Sequence, residues 1–175
     1  LILIKPLGSG ILVTAAKGDL LDMNGLEPAV RVMTQLNRRA AEIAAGFTIH
    51  ACTDITGFGL IGHALEMAEG SDVTLRIFGR DVPLIAGAAE LAQMGIIPAG
   101  AYNNRAHAGE RIEIADALPL EISDICCDPQ TSGGLLLAVA AEDATRLLSA
   151  LQAELPDCRI IGRVETKSSH PLLLE

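Results

Sequence analysis

Between Phe47 and Ala68 the apolar residues change their period once, and that change fixes what can form there. Phe47-Thr48-Ile49-His50-Ala51-Cys52 alternates, as a strand with one covered face does. Beyond Asp54-Ile55-Thr56-Gly57-Phe58-Gly59, the residues Leu60, Ile61, Ala64, Leu65 and Ala68 recur at helical spacing and stop before Gly70. A strand, a glycine turn and a helix therefore follow one another.

Comparable units lie on either side. Leu1 to Ile4 is apolar and β-compatible, Lys5-Pro6-Leu7-Gly8-Ser9-Gly10 interrupts it as a turn, and Ile11-Leu12-Val13 resumes as a strand or the start of a helix. From Pro28, the spacing of Ala29, Met33, Leu36, Ala40 and Ile43 predicts one amphipathic helix, with Gly46 just past its end. Val73 to Phe78 reads as a strand, and Asp81 as the N-cap of a helix carrying Leu84, Ile85, Ala88, Leu91 and Ala92. Residues 96–128 are broken by Pro98, Gly100, Asn103, Asn104, Gly109 and Pro119, so loops with a short helix or strand piece are expected. Leu135 to Ala140 is a buried strand, Glu142 to Leu155 a helix closed by Pro156, and Arg159 to Val164 and Pro171 to Leu174 late strands.

Strands and helices alternate without long blocks of either, which predicts an α+β fold of mixed layers, a mixed β-sheet covered by helices. One domain over residues 1–175 is expected. Leu1-Ile2-Leu3-Ile4-Lys5 reads as a strand already in progress, so the chain is expected to continue something longer.

Composition narrows the function classes. With 50% hydrophobic residues the 175-residue chain can bury a sizeable core, and with 2% aromatic residues and no Trp that core is aliphatic. Nothing offers a stacking platform for bases. A net charge of -9, from 22 acidic and 13 basic residues, argues against a nucleic-acid partner, whose phosphates call for Lys and Arg. A magnesium nucleotide stays compatible, because the cation bridges acidic side chains and phosphate. Cys52, Cys126, Cys127 and Cys158 show no C-x-x-C spacing, which fits neither a zinc site nor a disulfide framework. Cys52, placed in a strand, is expected to be a buried, inert thiol. No apolar run approaches the ~20 residues of a membrane helix and no signal pattern opens the chain, so a reduced cytoplasmic setting without a membrane partner is expected.

Two segments hold the residue types that chemistry needs. In Asp54-Ile55-Thr56-Gly57-Phe58-Gly59 a carboxylate at a strand end offers a hard oxygen to Mg²⁺, Thr56 a hydroxyl, and the glycines a close backbone approach to phosphate. The same spacing describes a tight turn in which Asp54 or Thr56 caps the helix. It lacks the Lys of a P-loop and the third glycine of a dinucleotide fingerprint. Asp128-Pro129-Gln130-Thr131-Ser132-Gly133-Gly134 is either a turn preparing the next strand or a second wall of the same pocket. His63 reads as a packed or capping residue, and Arg105 as the partner of a surface carboxylate.

Together with Lys5 to Gly10 and Pro98-Ala99-Gly100-Ala101-Tyr102-Asn103, these segments resemble, in the same order, the carboxy-terminal domain of the selenophosphate synthetase family. That family belongs to the aminoimidazole ribonucleotide synthetase superfamily. The resemblance covers nearly the whole chain and departs mildly at Ser9, where Thr is usual, and at Ile55, where Val is usual. It implies the carboxy-terminal half of an enzyme that makes selenophosphate, AMP and phosphate from selenide, ATP and water. It implies Asp54 as a metal ligand for Mg²⁺ and Thr56, Gly57 and Gly59 as phosphate-facing neighbours. The family's reactive cysteine or selenocysteine, catalytic lysine and further aspartates belong to an amino-terminal domain, so no catalytic residue is assigned here. A homodimer of the full-length enzyme is also implied. Other enzymes of the superfamily, in hydrogenase maturation, thiamine-phosphate phosphorylation or purine synthesis, and a non-catalytic interaction module are the competing readings.

Overall fold

The computed structural model describes all 175 residues. Eight strands form two four-stranded sheets. The first contains β1 (Ile2–Leu3), β2 (Ile49–Asp54), β5 (Leu135–Val139) and β6 (Arg159–Ile160), in the order β2-β5-β1-β6 with every neighbour antiparallel. The second contains β3 (Val73–Ile77), β4 (Ile112–Ile114), β7 (Gly162–Thr166) and β8 (Leu172–Leu174), in the order β4-β8-β3-β7. There β8 runs parallel to β3 and β4, while β7 is antiparallel to β3. The α+β class read from the sequence holds, with the strands divided between two sheets.

One continuous run of chain joins them. β6 and β7 are separated only by buried Ile161, whose N–H donates to the Leu1 carbonyl (3.0 Å) and whose carbonyl accepts from Phe78 N–H (2.7 Å). Gly162 begins β7 because a Cβ there would lie 2.1 Å from the Arg76 carbonyl oxygen.

The first sheet is covered on both faces. Leu3, Leu136 and Ala138 join the larger apolar cluster, which also holds Leu60, Ile61, Ala64 and Leu65 of α4 (Gly59–Ser71). Ile2, Ile4 and Leu137 point the other way, onto Ala40 and Ala44 of α3 (Arg38–Ala44) and Leu147 and Leu151 of α8 (Ala144–Gln152). Two-sided burial explains the unbroken apolar run of β5; the edge strand β2, half covered, keeps the alternation seen in the sequence.

Three local expectations are corrected. The helix read from Pro28 onward is two helices, α2 (Met23–Thr34) and α3, and Pro28 lies inside the first. Asp22 starts α2 by accepting from Gly25 N–H (2.8 Å), and Gln35 ends it in an extended conformation with its carbonyl taken by Lys5 Nζ (2.6 Å). Asp81 ends a short 3-10 turn instead of capping a helix, because Leu7 N–H bonds to the Pro83 carbonyl and Ile85 N–H to the Leu7 carbonyl, holding residues 83–85 extended. The helix, α5 (Ala88–Gln93), starts only afterwards. The unpatterned stretch 96–128 contains α6 (Ala99–Ala108), β4 and α7 (Leu120–Cys127); α6 buries only Ala101, Asn104 and Ala108, too small and polar a face to register as periodicity. The remaining helix is α1 (Ser9–Lys17), and no helix is long and apolar enough to cross a membrane.

Gly162→Ala should force β7 away from β3 and lower the unfolding free energy by about 1–3 kcal/mol in urea titration. Unchanged stability would mean that the joint between the sheets is not tightly packed.

Candidate functional site

β2 ends at Asp54 and α4 begins at Gly59, so residues 55–58 form the expected turn. Buried Ile55 donates its N–H to the Gly134 carbonyl (2.8 Å), and the Thr56 carbonyl accepts from Gln130 N–H (2.9 Å). The turn thus lies directly on residues 128–134. A Cβ on Gly133 would sit 2.0 Å from the Ile55 oxygen, and one on Gly59, whose φ is +67°, 2.8 Å from the Cys127 oxygen. Gly57 is different: it is exposed and has open space where a Cβ would be. From α6, Asn104 Nδ2 donates to the Gly57 and Cys127 carbonyls (2.9 Å each), and Gly100 lies against Pro129, where a Cβ would come within 2.6 Å of the ring.

The 128–134 segment also grips the turn before α1. Gln130 Oε1 accepts from the N–H groups of Gly8 and Ser9 (3.2 Å each) and from the Ser9 hydroxyl (3.0 Å). Its Nε2 donates to the Asp128 carbonyl and to Asp128 Oδ2 (2.8 Å each), while Asp128 Oδ2 accepts from Gly10 N–H (3.0 Å). Thr131 N–H closes the set on Ser9 Oγ (3.1 Å), a bond the departure from Thr to Ser leaves intact. Lys5, only 1% exposed, faces no carboxylate; its ammonium donates to the carbonyls of Gln35 and Ser132 (2.6 and 2.7 Å), and burial lowers its pKa. Asn37 Nδ2 adds a bond to the Gly133 carbonyl (2.9 Å). All four segments singled out in the sequence meet here. Lys5, Asn104 and Gln130 are the residues that sequence reasoning did not single out; a Lys within an apolar strand and turn was the one signal available for Lys5.

The open side of this knot carries few groups. Asp54 is exposed, and its carboxylate has no hydrogen-bond or ion-pair partner. Cys52 pairs with Leu137 and Asp54 with Leu135, so thiol and carboxylate share one face of the edge strand. The expectation that Cys52 is buried is corrected by this edge position; partial burial and then the Asp54 charge push its pKa up, which keeps it an unreactive thiol. Thr56 is half-buried, with Oγ1 3.0 Å from His63 Nε2, and His63 Nδ1 is 3.1 Å from Glu66 Oε2. Phe58, 52% exposed, tilts over His63 (centroids 5.6 Å) and stacks on His107 (6.2 Å). Neither Asp54 nor Thr56 caps α4, whose first residue is preceded by Phe58 with no side-chain cap. Arg105 pairs with a carboxylate, Asp124 (2.8 Å), as expected, but from the last turn of α6.

No three His, Cys, Asp or Glu side chains are placed to hold a metal ion by themselves. Asp54 and Thr56 each offer a hard oxygen, the donor type that Mg²⁺ takes in preference to soft ligands, and two such oxygens would leave most of a coordination shell to other groups. An apolar groove of about 620 Å³ lies apart, between the sheets, with Ala51, Leu75, Ala138 and Val164 among its lining.

Asp128 is fully buried and its Oδ1 has no partner, so burial pushes the carboxyl up to about 6 from 3.8 despite bonds from Gln130, Ile11 and Gly10 that favour the anion. A raised carboxyl pKa means the folded protein takes up the proton before the unfolded chain does. The stability owed to this group therefore rises as pH falls from about 6 towards 3.8 and is lost as pH climbs back through that window. Asp128→Asn cannot ionise, so its stability relative to the parent should be greater at pH ~7 than at pH ~4 in urea titrations. A constant difference would contradict an ionising buried Asp128.

Residues 1–172 match the family described as AIR synthase related protein, C-terminal domain. Among curated relatives, the chain is 45% identical over 175 residues to a selenide, water dikinase of Clostridium botulinum (strain Eklund 17B / Type B), covering 100% of this chain and 51% of that protein. The chain spans about half the length of the curated relatives it matches. Among solved structures, hydrogenase maturation protein HypE of E. coli superposes with a TM-score of 0.70 at 16% identity, over 99% of this chain and 45% of that one. HypE in complex with ATP superposes with a TM-score of 0.56 at 15% identity, over 99% of this chain and 46% of that one. A match over nearly every residue, with the same fold in its structural neighbours, places this chain in the family of AIR synthase related proteins, as the C-terminal domain.

Proposed function

We propose that this chain acts as the carboxy-terminal half of a selenide, water dikinase, making selenophosphate, AMP and phosphate from selenide, ATP and water. One observation carries the reading. Asp54 is an exposed, unpaired carboxylate at the rim of a turn whose backbone is fixed by two other segments, residues 128–134 and α6, and nothing in the fold gives it a structural task. Identity of 45% along the whole chain to a protein of that activity supports the same reading.

In this reading Asp54 holds Mg²⁺ and Thr56, Gly57 and Gly59 face the polyphosphate. Held there, the cation would compensate charge on the transferring phosphoryl group. The chain's own contribution is placement: Gly57 leaves the approach open, while the bonds from Gln130 and Asn104 keep the turn from relaxing onto Asp54. Proton transfer and attack on phosphorus are assigned to the amino-terminal half. Binding of the two halves, dimerisation of the full-length protein and a cytoplasmic location, which suits four free thiols, belong to the same proposal.

In the full-length protein Asp54→Ala should raise the Mg²⁺ requirement and lower turnover by about 100-fold, the scale of removing one electrostatic group from a reacting site. Selenide-dependent AMP formation reads this directly; unchanged turnover and Mg²⁺ dependence would remove the assignment. The 175-residue chain alone should form no AMP, and activity from it would overturn the division of labour.

A further inference from the structure

His63 is buried on α4, 8% exposed, and both ring nitrogens are engaged. Glu66, three residues along the same helix, presents a carboxylate, which only accepts hydrogen bonds; Nδ1 therefore carries a hydrogen. In the neutral ring Nε2 is then a lone pair, and the bond to Thr56 Oγ1 is donated by the threonine. A hydroxyl has one hydrogen. With it directed at His63, the Thr56 oxygen has only electron pairs to offer to whatever enters the turn. Phosphate oxygens need donors, whereas a divalent cation needs such an oxygen. Phe58 tilts over the ring and Gly62 lies under Phe58, where a Cβ would come within 2.5 Å, so the imidazole has little freedom to turn.

We propose that His63 and Glu66 are positioning residues that set the Thr56 oxygen as a second ligand, beside Asp54, for the divalent cation. Thr56 then serves the cation while backbone N–H groups are left for phosphate. The inference rests on the assignment of the cation to Asp54 and refines the role of Thr56 within it.

Selective ¹⁵N labelling of histidine in the full-length protein, with His63 assigned through His63→Gln, reads the ring directly. An unprotonated Nε2 and a protonated Nδ1 are expected; hydrogen on Nε2 would overturn the proposal. Mn²⁺ binding in the presence of a non-hydrolysable ATP analogue, followed by electron paramagnetic resonance, gives the second readout. Thr56→Val and Glu66→Ala should each weaken Mn²⁺ by about tenfold, Thr56→Ser should restore it, and affinity for the metal-free analogue should not move. Glu66 is exposed and Thr56→Val keeps shape, so folding is preserved in both. Weakened analogue binding with unchanged Mn²⁺ affinity in Thr56→Val would make the hydroxyl a phosphate donor and overturn the proposal. Asp54→Ala separates the two claims: loss of Mn²⁺ there but not in Thr56→Val sinks this inference alone, and no loss in either sinks the Asp54 assignment as well.

Discussion

The carboxamide of Gln130 ties together parts of the chain more than a hundred residues apart. While the residue's backbone N–H reaches the Thr56 carbonyl, the carboxamide oxygen takes three hydrogens from Gly8 and Ser9 and its nitrogen gives two to Asp128. Only an amide does this. A glutamate could not donate to Asp128, and an apolar residue would leave buried donors at the start of α1 unpaired, at about 1–3 kcal/mol each. Because the group is buried, water cannot replace what it loses, and the turn after β2 is tied to the same residue through its backbone N–H.

That constraint separates two kinds of polar group. Inside the knot, Lys5, Ser9, Asn104 and Gln130 are buried and bonded, and each works on backbone atoms. Outside it, Asp54 is left with no partner and Gly57 with open space. Lys5 does not neutralise Asp54, although both belong to the same cluster of segments, because its ammonium is held by the Gln35 and Ser132 carbonyls. A rigid base beneath an unpaired carboxylate is what a shared cation site needs from one of its two walls.

Local periodicity made the strand, turn and helix around Asp54 legible, since β2 lies at a sheet edge and the large apolar residues of the deeply buried α4 recur at helical spacing. The break between α2 and α3 was not legible, because its cause is Lys5, far off in sequence, bonding the Gln35 carbonyl. The delayed start of α5 has the same kind of origin, a pairing of residues 83–85 with Leu7. Residues 128–134 read first as a turn, and the turn chemistry of Asp-Pro-Gln hid that Gln130 works on distant partners. His63 was legible as packed; its bridge from Thr56 to Glu66 depends on a turn geometry that spacing does not specify. Asp54 stood out only through the ordered company of the other segments, and their meeting in space is the physical content of that order.

The open side of the 54–59 turn is proposed to face a cation-bound nucleotide. Paramagnetic broadening of backbone amide signals by Mn²⁺ with an ATP analogue, in the ¹⁵N-labelled full-length protein, tests it most directly. Signals of residues 54–59 and their neighbours at 131–133 should broaden first, while β7 at residues 163–166 in the other sheet stays sharp. Sharp signals at 54–59, or broadening centred on β7, would contradict it.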